Sequence, residues 1–394
     1  MSGSDLFSRP RRIRRGAALT LVFATVLATG AATESWSEPD RNPTGKQARS
    51  TPATSADAGD TTEPDEVADA AAKALADGKS PSKAAEEVVS RSGDRWGSVY
   101  DAGEYEEFER ELEGEYTGVG LWTRRAADGR VEVVRVQRDS PAARAGIAIG
   151  DRLRSVDGKA LKGRGPKEIV SLLRGAGADA GTQVKLGLRR GTRAWSQTLR
   201  RARLEKESVT VRRLADGPVL IKVTVLTKGT GGDVRDAVRD APQGAGVLLD
   251  LRGNSGGLVT EAQEVASVFL DGGVVATYDV RGKQQALHAE PGGSGTRPLV
   301  VLVDGGTMSA AELLAGALQD RGRAVVVGSR TFGKGSVQMP SRLPDGSVAE
   351  LTVGHYRTPS GRTVDGQGIT PDLEVDQEAE QRARTVLSGL GPPS

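Results

Sequence analysis

The 394-residue chain has no cysteine, only two histidines, 4% aromatic residues and almost no net charge. Without cysteine there are no disulfide frameworks, thiol nucleophiles, iron–sulfur clusters or thiolate zinc sites. His288 and His355 are too few for a histidine-rich metal site. Any nucleophile must therefore be a hydroxyl, an amine or a carboxylate. Lys plus Arg number 54 against 52 Asp plus Glu, a net charge of +2, so no broad field draws in nucleic acid as the main partner. At about 150 residues per domain, the length predicts two to three domains.

Residues 1–33 read as an export signal or membrane anchor. Arg9, Arg11, Arg12, Arg14 and Arg15 precede Gly16 to Thr33, which carries no charge. A basic run followed by an uncharged one is the pattern of an export signal, and it places the protein outside the cytoplasm. Those eighteen residues would make a helix of about 27 Å against a hydrocarbon core of about 30 Å. Two forms stay open: one secreted after cleavage near Ala28, Gly30 or Ala32, and one anchored in the membrane by residues 16–33. A buried core helix is the bland alternative, but nothing upstream could pack it. Residues 34–64, rich in Ser, Thr, Pro, Ala, Gly and Asp, have too little apolar surface to offset their ordering entropy and read as a disordered linker.

Residues 65–113 read as a helical lead-in, from the spacing of Val67, Ala71 and Leu75, of Ala84 and Val88, and a third short helix at Glu104 to Leu112. From 114 to 203 the pattern changes to short strand-like runs broken by turns such as Asp128-Gly129 and Asp157-Gly158. Residues 204–376 alternate strands and helices. The runs Val247-Leu-Leu249 and Leu299-Val-Val-Leu-Val303 are apolar throughout, as in sheets covered on both faces, so this part reads as an α/β core. Residues 377–394 are left as a C-terminal tail.

In the β-rich part, Tyr116-Thr-Gly-Val-Gly-Leu121, Asp139-Ser-Pro-Ala-Ala-Arg-Ala-Gly-Ile147, Gly150-Asp-Arg-Leu-Arg-Ser-Val-Asp-Gly158 and a helix near Lys167 to Arg174 follow in order. Together they resemble a PDZ domain. The resemblance makes Gly118, Val119, Gly120 and Leu121 the loop whose backbone N–H groups receive a peptide's C-terminal carboxylate, with the peptide added as a strand beside it. Ile169, Leu172 and Leu173 share a helical face and suit either a side-chain pocket or ordinary core packing.

In the core, Asp304-Gly-Gly-Thr-Met-Ser-Ala-Ala-Glu312 sets Ser309 between a strand and a helix. Ser309 and Glu312 have the spacing of a capping box, which needs no chemistry. The same position also aims the next backbone N–H groups, beginning at Ala310, at a developing oxyanion. A serine nucleophile needs a base, and neither histidine lies in a context that suggests a triad. Lys334, in Thr331-Phe-Gly-Lys-Gly-Ser-Val-Gln338, is the only lysine after Lys283. Unlike arginine, a lysine can lose its proton when desolvated. A surface lysine in a glycine loop is the bland alternative. Gln338, four residues on, would share a side with Lys334 in a strand and could orient its amine. Asp320 is too far along the helix to touch Ser309, about 16 Å by rise. The glycine turn Asp250-Leu-Arg-Gly-Asn-Ser-Gly-Gly257 offers either a second oxyanion donor or a plain tight connection.

Taken together, these segments resemble the C-terminal processing peptidases, or tail-specific proteases, over residues 65 to 376. The fold expected from that resemblance is a multidomain α/β one: helical N-terminal region, PDZ domain and crotonase-like serine protease core. It makes Ser309 the nucleophile, Lys334 the general base, Gln338 its orienting residue, and the N–H groups of Ala310 and Gly256 the oxyanion hole, with Gly257 as the alternative donor. It requires no cofactor and no metal. The implied partners are protein or peptide substrates held by their C-termini, and a homo-oligomer is left open. Thr307 and Met308 before the nucleophile, Ser255 in the glycine turn and Asp94-Arg-Trp96 depart from the family pattern. The rival readings are a binding protein with a dead protease core and an acyl-CoA enzyme of crotonase type.

Overall fold

The computed structural model describes residues 62–390, apart from 127, 176–178, 216 and 281–282 and the side chains of 166 and 167. The export-type segment and most of the linker lie outside the described residues. Among those that are described, no helix is long and apolar enough to cross a membrane.

Six strands make the central sheet, in the order Val209–Arg213, Val219–Val223, Val247–Asp250, Leu299–Val303, Val325–Gly328, Leu373–Glu374. The first pair is antiparallel and the rest are parallel. Because strand side chains alternate, each of the four inner strands supplies two cores. Ile221, Leu249, Val301 and Val326 face the helices Thr230–Arg239, Val259–Phe269 and Ala310–Asp320. Leu220, Leu248, Val300 and Val327 face the helix Ala379–Gly389, whose Ala383 and Leu387 are buried there. Much of the C-terminal segment is thus an integral layer of the core, seated where Gly246 leaves room for Leu387.

A second sheet runs Ser98–Tyr100, Val348–Arg357, Val274–Val280, Lys283–His288, with Ser336–Arg342 paired to the long strand Val348–Arg357. The helical hairpin Pro64–Ala76 and Pro81–Ser92 packs Val67, Ala71, Ala85 and Val88 against Leu343, Ala349 and Leu351. The third helix, Ala102–Leu112, lays Tyr105, Phe108 and Leu112 on Val348. The lead-in is therefore fastened to the strand that also pairs with the segment following Lys334.

The β-rich part is a sheet in the order Leu121–Arg125, Val131–Val136, Arg152–Val156, Gln183–Arg190, Arg193–Arg200, with Lys159–Ala160 added at Arg152–Val156. Glu115–Gly118 and Ala202–Glu205 pair antiparallel and close its base. Leu121–Arg125 is an edge strand, with one side of its backbone open to a further strand. Ile169 and Leu173 of the helix Pro166–Arg174 are buried in this domain's own core and Leu172 packs partly against it, which is the packing option for those residues.

Candidate active site

Two strand-to-helix turns meet at Ser309. The turn after Leu299–Val303 is tied to the turn after Val247–Asp250 by three hydrogen bonds, and a fourth, from Gly306 to Asp304, braces the first turn itself. Gly253 and Gly306 both donate to Asp304 Oδ1, Thr307 Oγ1 donates to the Leu251 carbonyl at 2.9 Å, and Met308 N–H donates to the Asn254 carbonyl at 2.8 Å. Ser309 is held at φ 57°, ψ −124°, a backbone that L-residues rarely adopt. Such strain persists only where the surroundings over-determine it. Here they do: a Cβ on Gly256 would lie 2.9 Å from Ser309 Cβ, so glycine is the residue that fits, and its φ of 95° demands the same.

The capping-box disposition of Ser309 and Glu312 is present, but no hydrogen bond reaches the hydroxyl. Ser309 N–H donates to Glu312 Oε2 at 2.9 Å, while Ser309 Oγ is buried with no hydrogen-bond partner among the described residues. Buried hydroxyls are almost always paired, so this one is an exception that calls for an explanation. The Ala310 N–H, first of the helix, also makes no hydrogen bond among the described residues. Gly256 N–H donates to Asn254 Oδ1 at 2.8 Å, so as an oxyanion donor it would have to leave that partner. Gly257 N–H makes no hydrogen bond among the described residues.

Lys334 is brought to this turn by two groups that also hold Ser309. The Glu312 carboxylate accepts from Ser309 N–H, Lys334 N–H at 2.9 Å, Gly333 N–H at 2.7 Å and the Thr331 hydroxyl. The Tyr356 hydroxyl is shared between the carbonyls of Ser309, at 3.0 Å, and Lys334, at 3.3 Å. Sequence reasoning read Glu312 as a helix cap and missed that it staples two distant segments together. Its burial raises its pKa, and the four donors pull the other way.

Ser309, Lys334 and Gln338 are each 0% exposed. Burial pushes the Lys334 amine down to about 8, against the opposing pull of the carboxylates of Glu350, Asp94, Asp365 and Glu312. Lys334 Nζ sits 4.7 Å from the centre of the Trp96 ring, which makes an edge contact with Phe332. Glu350, buried on the long strand, has its carboxyl pushed up to about 7 by desolvation, with the Tyr105 hydrogen bond and the Lys334 charge opposing. No local sequence signal pointed to Glu350, Trp96 or Tyr356, because each reaches the site from another part of the chain.

Gln338 departs from the simple strand expectation. The strand Ser336–Arg342 begins after Lys334, and a register shift falls between Val337 and Gln338, so the period of two does not relate the two side chains. Its amide Nε2 donates to Ser336 Oγ at 2.8 Å and to Thr352 Oγ1 at 3.0 Å, and its Oε1 is buried with no partner among the described residues. Asp320, at the far end of the Ser309 helix, accepts from Ser360 and Arg362 and so fastens the closing segment. His288 is exposed in the strand Lys283–His288 and His355 is half-buried in Val348–Arg357.

At the predicted peptide loop, Gly118, Val119 and Gly120 are buried and Leu121 opens the edge strand. The Val119 carbonyl accepts from Ala142 and that of Gly120 from Gln137, while their N–H groups make no hydrogen bond among the described residues. Gly120 has φ 79°, and a Cβ there would lie 2.2 Å from Ser140 Cβ.

Residues 219–375 match the family model of peptidase family S41, and residues 132–190 that of the PDZ domain. A carboxy-terminal-processing protease of Bartonella bacilliformis is 33% identical over 306 residues, 75% of this chain and 69% of its own length. A CtpA-like serine protease of Staphylococcus saprophyticus is 30% identical over 307 residues, 76% of this chain and 62% of its own, so the match spans less than two-thirds of that relative. Among solved structures, the photosystem II D1 C-terminal processing protease aligns over 79% of this chain and 86% of its own, with 29% identity and a TM-score of 0.50. The chain belongs to peptidase family S41, the C-terminal processing proteases, and carries a PDZ domain ahead of its α/β core.

Proposed function

We propose that the protein is an exported serine endopeptidase that cleaves polypeptides through a Ser309–Lys334 dyad, after its PDZ domain takes hold of a substrate C-terminus. The observation that carries this reading is a buried, unpartnered Ser309 hydroxyl at a helix N-terminus, with Glu312 and Tyr356 each bonded to both residue 309 and residue 334. A lysine brought to about 8 is partly neutral near pH 7 and can act as a base, which an arginine in its place could not.

In the proposed reaction the Lys334 amine takes the Ser309 Oγ proton, and Oγ attacks a peptide carbonyl carbon. Negative charge builds on the carbonyl oxygen, where the Ala310 N–H and a second N–H from Gly256 or Gly257 stabilise it. The ammonium then returns its proton to the leaving amine, and water, deprotonated by the same lysine, releases the acyl group. Gln338 orients the amine throughout. Because Ser309 is fully buried, a substrate carbonyl reaches Oγ only after covering groups have moved. Gly118 to Leu121, with the open edge of Leu121–Arg125, hold the substrate's C-terminal residues as an added strand.

The test is incubation of the purified protein with a test protein that ends in an unstructured apolar tail, with mass analysis of the fragments and labelling by a fluorophosphonate. Cleavage and labelling that both vanish in Ser309→Ala are expected. An unlabelled wild-type protein that still binds the tail would replace the enzyme reading with that of a binding protein.

A further inference from the structure

Gln338 is one of the few buried side chains here with an unsatisfied polar atom, and the unsatisfied atom is its carbonyl oxygen, not its amide nitrogen. Which end of an amide points where depends on the groups around it. Those groups form a chain that begins 244 residues earlier in the sequence, at Asp94. Asp94 Oδ1 accepts from the N–H groups of Trp96, at 3.0 Å, and Gly97, at 2.8 Å, and from the Thr352 hydroxyl at 2.8 Å. Its Oδ2 accepts from Thr352 N–H at 2.8 Å. A carboxylate in this setting only accepts, so the single hydroxyl hydrogen of Thr352 is committed to Asp94.

The consequence passes to the next residue. With its hydrogen spent, Thr352 Oγ1 has only lone pairs to offer Gln338, which meets it with its amide N–H at 3.0 Å. The other amide N–H goes to Ser336 Oγ at 2.8 Å. Turning the amide over would set its oxygen against the Thr352 oxygen with no hydrogen between them, which loses a buried hydrogen bond and adds repulsion.

We propose that Asp94 and Thr352 form an orientation relay that fixes the Gln338 amide so that Oε1, an acceptor, is presented to the Lys334 amine as the base works. Asp94 and Thr352 are positioning residues: neither touches the substrate, and both act through Gln338. The relay rests on the Ser309–Lys334 reading, in which the amine donates one hydrogen bond while its lone pair takes the serine proton. It also gives the helical lead-in a part in the reaction, since Asp94 follows directly on the second helix of the hairpin that packs on the long strand.

Asp94 also holds the backbone of Trp96, so Thr352 is the cleaner place to test. Steady-state hydrolysis of fluorescein-labelled casein, an unstructured polypeptide, is measured for Thr352→Val and Thr352→Ser, with melting curves for each. Thr352→Val keeps the shape and removes the hydroxyl; it is expected to lower kcat about tenfold with KM unchanged, because a base held in the wrong orientation slows the chemical step and not binding. Thr352→Ser restores the hydroxyl and is expected to stay within about threefold of wild type. In a Gln338→Ala background, itself slowed, Thr352→Val should cost nothing further, because the two act as one unit. If Thr352→Val melts early, Thr352→Ala serves as the second hydroxyl-free variant. A wild-type kcat in the hydroxyl-free variant, a serine variant no better than valine, or full additivity with Gln338→Ala would each overturn the relay. Unimpaired turnover in Ser309→Ala or Lys334→Ala would instead overturn the dyad on which it rests.

Discussion

The proposed catalytic centre and the proposed peptide loop of the PDZ domain would solve opposite problems with opposite materials. The centre is made of particular side chains, Ser309, Glu312, Lys334 and Gln338, all fully buried and held by hydrogen bonds that join three separate segments. The loop is made of backbone N–H groups and an open strand edge, with glycine where the chain passes too close to Ser140 for a side chain. Chemistry needs a group of defined pKa in a fixed place, so it demands residue identity. Capture of a chain end needs donors that every peptide bond supplies, so it demands only a shape.

This contrast is broken most severely at the proposed nucleophile and base. Ser309→Ala or Lys334→Ala should lower hydrolysis by about a thousandfold or more, with binding of a C-terminal peptide unchanged by fluorescence anisotropy. Next comes the staple between the two catalytic segments. Glu312→Gln replaces one accepting oxygen by an amide nitrogen and strands buried N–H groups, each costing about 1–3 kcal/mol. Activity should fall by about 10- to 100-fold, with a lowered melting temperature. Replacing Gly120 by valine acts on the other region. With φ 79° and Ser140 2.2 Å from the new Cβ, the loop has to deform. KM for a tailed substrate should rise by about tenfold, while fluorophosphonate labelling of Ser309 proceeds at the wild-type rate. A matching fall in labelling would show that the two regions are not separable.

What could be read from the sequence follows the same division. The central sheet was legible because strands covered on both faces are apolar throughout, and Leu299–Val303 matches its expected limits. Ser309 and Lys334 stood out by residue type, a serine at a helix start and a lone lysine among arginines. The second sheet was not anticipated. Its strand Val348–Arg357 mixes polar residues into a buried run, because Glu350 and Thr352 sit inside it as part of the polar network around the site. Glu312 was readable locally as a cap, whereas its bonds to residues 331, 333 and 334 depend on tertiary contacts that no local pattern encodes. Asp94 is further still from its partner, 258 residues before Thr352.

The central claim is that a buried amine, on a segment stapled to the turn that carries one buried hydroxyl, is held partly neutral at ordinary pH. It is tested most directly by the pH dependence of single-turnover acylation of Ser309. With the Lys334 pKa lowered to about 8 by burial, the neutral base is the minority form below that pH and the majority form above it. The rate should climb about tenfold per pH unit on the acid side and level off above about 8. Glu350→Gln removes a negative charge that favours the ammonium, so it should move the inflection to lower pH. A rate already flat from pH 6 to pH 9, or one retained by Lys334→Arg, whose side chain stays protonated, would contradict the account.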